Sequence, residues 1–114
     1  MNAEQKQFFR DNGFVNLGKL LTDEEVVYFD GLFNADRQTY SYFWHSYGHH
    51  QRANYDALLT TPQFDELIRH PRIYPIIEEL MGGALCFGEI GLRSMGEYEG
   101  AFHQGWHRDK PHWM

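Results

Sequence analysis

Two adjacent glycines, Gly82-Gly83, divide the chain into a long stretch with helical period and a shorter one that alternates like strand. Beyond them the alternation runs from Ala84 to Met95, through a turn at Gly96-Glu97-Tyr98-Glu99-Gly100, into Phe102 to His107. Two strands make a poor sheet, because an isolated hairpin is marginal in water, so these predict a pairing partner. At 114 residues the chain fits one small domain. We read residues 1–114 as a single α+β unit, helical over 1–83 and stranded over 84–109.

The helices are marked by their ends. Ala3 to Asp11 is predicted as a helix with Phe8 and Phe9 inward, stopped at Asn12-Gly13, where glycine accepts the left-handed conformation. Phe14-Val15-Asn16-Leu17 then reads as a short strand. Thr22-Asp23-Glu24-Glu25 is a capping-box signature, with Leu21 and Val26 as a hydrophobic staple. It starts a helix at Asp23 whose buried stripe is Val26, Phe29 and Leu32 or Phe33. From Tyr40 to Tyr55 no period is visible, and a long loop is expected. Thr61-Pro62 opens another helix, with Phe64, Leu67 and Ile68 on one face, and His70-Pro71 ends it. A further helix, with Ile76, Ile77, Leu80 and Met81 inward and Pro75 in its first turn, runs to the glycine pair.

Charge and composition exclude several functions. The formal net charge is -6, and the lysines and arginines are scattered singly, so the electrostatic footprint of a nucleic-acid binder is missing. No apolar run reaches membrane-spanning length and no signal peptide is evident, which predicts a cytoplasmic protein with no membrane partner. The single cysteine, Cys86, lies between Leu85 and Phe87 and reads as a small packed residue.

The chemistry concentrates in QGWHRDKPHWM, Gln104 to Met114. If Phe102 to Asp109 is extended, residues two apart share a face, so His107 and Asp109 point together while Trp106 and Arg108 point away. At a rise of roughly 3.3 Å per residue their α-carbons stand about 7 Å apart, close enough to hold one metal ion between imidazole and carboxylate. His103 lies about 13 Å from His107 by the same rise, too far to join them. His112 follows Pro111 and is not aimed by the pattern. His45 and His49 would share a face of a helix, but Gly48 weakens that helix and no carboxylate accompanies them; an exposed loop is the simpler reading. Phe43 and Trp44 read as core or interface aromatics.

These motifs in their order, FFRDNGFVNLGKLLTDEEV, then IRHPRIYPIIEELMGG, then Trp-His-x-Asp in GWHRD, resemble the phytanoyl-CoA dioxygenase family of iron(II)- and 2-oxoglutarate-dependent oxygenases. Trp106, His107, Asp109 and Trp113 are also similar to the iron-binding segment of the ectoine hydroxylases in that group. The resemblance implies N-terminal helices followed by the first strands of a double-stranded β-helix, or jelly-roll, with the remainder absent from these residues. It implies Fe(II) and 2-oxoglutarate as cofactors, His107 and Asp109 as two of three metal ligands, and a small organic substrate. The distal histidine and the arginine that anchors 2-oxoglutarate lie on later strands in the family, so no turnover is expected of this chain alone. Arg93, on the strand before the hairpin, is a candidate for contact with a substrate or cosubstrate carboxylate; it reads equally as a solvent-exposed strand arginine. The alternative is a non-enzymatic α+β domain, without bound metal, that forms a homo-oligomer through exposed strand edges.

Overall fold

The computed structural model describes residues 1–48, 50–97 and 106–107. Its elements run α1 (Ala3–Asn12), α2 (Asp23–Thr39), a 3-10 turn (Ser41–Phe43), β1 (His45–Gly48), β2 (Gln51–Asn54), α3 (Ala57–Thr60), a second 3-10 turn (Pro62–Phe64), α4 (Asp65–Ile68), α5 (Tyr74–Met81) and β3 (Leu92–Met95). The α+β class is as expected from the sequence. Among the described residues no helix is long and apolar enough to cross a membrane.

The helix ends follow the sequence closely. Asn2 accepts from the Gln5 amide while the Gln5 side chain returns to the Asn2 amide, a capping box at α1 that the sequence reading did not single out. At α2 the Thr22 hydroxyl accepts from the Glu25 amide at 3.1 Å, and the Glu25 carboxylate accepts from the Thr22 amide at 3.0 Å. Gly13 and Gly82 close α1 and α5 with φ of 80° each, a region in which a Cβ would clash with the backbone. Pro75 stands in the first turn of α5, where its missing N–H has no helical partner to lose.

Several expectations are corrected. Phe14 to Leu17 has no regular structure: no strand pairs with it, Phe14 packs edge-on to Phe8 at 5.3 Å, and Asn16 turns the chain by accepting from the Gly18 amide. Residues 40–55 are not a loop but a 3-10 turn and the β1–β2 hairpin, which includes a register shift between Ser46 and Gly48 and His50 at φ 61°. Strand over 84–109 reduces, among the described residues, to Leu92–Met95; residues 84–91 carry no regular structure, and neither Trp106 nor His107 is in a strand. The segments 98–105 and 108–114 lie outside the described residues. The partner demanded by the late strand is supplied from within the chain: β2 runs antiparallel to both neighbours in a sheet ordered β1-β2-β3.

The core sits between this sheet and the helices. Asn54 and Leu92 are opposed in register and both are buried, so this face packs on α2; Phe29, Trp44, Ala57, Phe64 and Leu92 form one cluster, with Leu32, Phe33, Leu58, Leu67 and Ile90 against it. Trp44 is 2% exposed, its ring edge-on to Phe33 at 5.3 Å. The predicted inward stripes are only partly buried. Phe8, Val26, Ile77 and Met81 all remain exposed, because among the described residues no layer covers those faces of α1, α2 and α5. Cys86, expected to be packed, is exposed as well.

A buried carboxylate ties the sheet to α2. Asp36, 1% exposed, accepts at one oxygen from Trp44 Nε1 (2.9 Å) and Asn54 Nδ2 (2.9 Å), and at the other from the hydroxyls of Thr60 (2.5 Å) and Thr61 (2.6 Å). Thr61 does lie at the start of a helical turn as expected, but its hydroxyl serves Asp36 rather than a cap. Truncating Asp36 leaves four donors without their acceptor, and one unsatisfied buried group costs about 1–3 kcal/mol. Asp36→Ala is expected to lose at least about 3 kcal/mol of unfolding free energy in urea titrations, and Asp36→Asn less, since its amide oxygen still accepts.

Candidate metal centre

The first predicted ligand, His107, is exposed and outside any strand, next to an exposed Trp106. Asp109, the second, lies outside the described residues, as do His49, His103, Arg108, His112 and Trp113. Among the described residues no group of three histidine, cysteine, aspartate or glutamate side chains is placed to hold a metal ion. Non-haem iron requires a three-ligand face, and of the two ligands proposed from sequence the described residues include His107 alone.

Arg93 is on β3 as expected, directly opposed to Ala53 on β2, which in turn opposes His45 on β1. Opposed residues share a face, so His45, Ala53 and Arg93 form a row across the side of the sheet turned away from α2. Two strand spacings separate the ends of that row by about 10 Å. Arg93 donates from Nη2 to the Tyr55 hydroxyl at 3.0 Å. The Tyr55 ring crosses Gly91 so closely that a Cβ there would lie 2.8 Å from it, which explains the glycine. His45 thus belongs to a strand, not to the helix that would have paired it with His49.

The polar constellations that the structure does build were not identified as such from sequence. One is the Asp36 network. Burial would raise that carboxyl, but the hydrogen bonds from Thr60, Thr61, Asn54 and Trp44 outweigh it and hold the group below its ordinary range. Every buried side-chain nitrogen and oxygen among the described residues has a partner, so this cluster is a satisfied structural junction.

The other joins the start of α2 to the turn between α4 and α5. His70, 4% exposed, accepts at Nδ1 from the Arg72 amide at 3.1 Å, which assigns its ring proton to Nε2, the donor to Glu25. Arg72 donates to the same carboxylate and, from Nε, to the Leu20 carbonyl at 2.8 Å. Both imidazole nitrogens are engaged, so His70 has no lone pair for a metal or a substrate. The capping-box motif signalled one role of Glu25; the His70 contact spans 45 residues and left no local pattern.

The Glu25 carboxyl falls from its ordinary 4.5 to about 2, held down first by the Thr22 amide and then by His70, with the Thr22 hydroxyl and Arg72 adding to them against desolvation. A carboxyl depressed in the folded state stabilises it above the unfolded pKa and stops doing so as pH falls through the folded one. Native stability is therefore expected to decline from about pH 4.5 to about pH 2. Glu25→Gln should flatten urea midpoints measured across that window, leaving the slopes of Asp36 and Glu79, whose carboxyls are also lowered. Compared with protein families, with curated proteins and with solved structures, the chain matches none.

Proposed function

We propose that these residues form the N-terminal portion of an iron(II)- and 2-oxoglutarate-dependent dioxygenase resembling the phytanoyl-CoA dioxygenase family, a hydroxylase of a small organic substrate. In this reading His107 and Asp109 are two of three iron ligands, and later jelly-roll strands supply the third and the keto-acid arginine. The reading rests on the ordered motifs that end in Trp106-His107-Arg108-Asp109. The feature of the structure that accords with it is the placement of Arg93 on β3, on the sheet face opposite the one packed on α2 and held there by the Tyr55 hydroxyl. Arg93 would there meet a substrate or cosubstrate carboxylate, a charge-assisted contact for which guanidinium geometry is suited.

The 114-residue chain is expected to bind Fe(II) weakly and to form no succinate from 2-oxoglutarate. Anaerobic titration with Fe(II) and 2-oxoglutarate, followed by the visible metal-to-keto-acid band, reads this directly. His107→Ala and Asp109→Ala should each weaken Fe(II) binding by roughly tenfold or more, a loss of about 1.4 kcal/mol. Unchanged Fe(II) affinity in both variants removes the ligand assignment.

A second reading is favoured by the surface: a non-enzymatic domain that forms homo-oligomers without metal. Phe14, Val27, Tyr42, Met81, Phe87 and Met95 are exposed, and β1 and β3 flank the sheet. Edge strands and apolar side chains invite pairing with a second copy. Sedimentation over a range of concentrations should then show mass rising with concentration; a constant monomer mass rejects it.

A further inference from the structure

Helix α5 (Tyr-Pro-Ile-Ile-Glu-Glu-Leu-Met), more apolar than α1 and α2, has no fully buried residue. Part of its apolar face opens onto a pocket of about 450 Å³. Ile77 and Tyr74 form one wall, Leu58 and Ile68 another, and Leu85 and Phe87, from the segment that follows the helix, the third. The volume falls within the range of small-molecule sites, roughly 300–1,000 Å³, and the lining is of the kind those sites use: apolar walls with few polar groups. The lining also includes Asp65 and Arg69, one helical turn apart, with the guanidinium donating from Nε and Nη2 to both carboxylate oxygens.

We propose that this pocket binds an uncharged amphiphile: an aliphatic or aromatic body carrying one hydroxyl. The walls set the body. Taking roughly 30 Å³ per heavy atom, the share of one water molecule, the pocket corresponds to about fifteen heavy atoms. The Asp65–Arg69 pair sets the head group by charge complementarity. Asp65 already neutralises Arg69, so an anionic head gains no net attraction there and meets a chain of net charge -6; a cationic head competes with Arg69 for the carboxylate. A hydroxyl suits both partners, donating to an Asp65 oxygen and accepting from a remaining guanidinium N–H. The proposal does not depend on the oxygenase reading.

The only thiol of the sequence, Cys86, is exposed on the pocket lining and reports on occupancy without any engineered label. Alkylation of Cys86 by iodoacetamide, followed by mass spectrometry of the full chain, is expected to slow at least about threefold as 1-decanol is added below its solubility limit, and to saturate. Ile77→Trp fills the pocket and should abolish that protection with unchanged circular dichroism. Phe87→Ser, on an exposed segment outside any helix, should weaken it severalfold and serves should the tryptophan variant not fold. Decanoate at equal concentration should protect much less. Protection that is absent, does not saturate or survives in folded variants overturns the site; decanoate protecting as well as decanol overturns the head-group assignment.

Discussion

One carboxylate holds this architecture together. Asp36 lies near the C-terminal end of α2, and its four donors come from the entry to the hairpin, the end of β2, the end of α3 and the turn after it. A charge out of water is tolerated only when its lone pairs are filled, so the chain from Trp44 to Thr61 is drawn around a single point. Once Asn54 is fixed there, β2 lies across α2 with Leu92 opposed to it, and the late strand acquires its neighbour. Arg37 adds a second tie of the same kind, donating to the Ser94 hydroxyl at 3.2 Å.

Around this junction the protein is built from two kinds of contact. Ion pairs and caps organise the periphery: Glu25 with His70 and Arg72, Lys6 with Glu79 across α1 and α5, and Asp65 with Arg69. The apolar cluster is small, and exposed apolar side chains on α1, α2 and α5 lie beyond its reach. Such surface is uncommon unless something covers it, which links the proposed jelly-roll sheet, the proposed self-association and the α5 pocket as three answers to one physical demand.

The local signals were legible because their causes are local. A hydroxyl three residues before a carboxylate, a proline in a first turn and a glycine after the last apolar residue each satisfy backbone groups within a few residues, and the start of α2 and both ends of α5 lie where those signals put them. The sheet was not legible in the same way. His45 to Asn54 alternates too irregularly to mark strands, its turn passes through His50 at positive φ without glycine, and its pairing with Leu92–Met95 joins residues about 40 apart. Of the candidate site, Arg93 lies on its strand as read from the sequence, while His107 lies in no strand and Asp109 is outside the described residues.

By itself the sequence determined where α1 and α5 begin and stop and where α2 begins, the mixed class, and the acidic charge that disfavours nucleic acid, since each follows from neighbouring residues or from composition; α3 left no such signal. Only the tertiary structure decided which residues are buried, that Asp36 gathers four polar groups at one buried point, and that the late strand pairs with a hairpin from the middle of the chain. Those choices depend on hydrogen bonds and apolar contacts between distant segments, whose energies exist only once the segments have met.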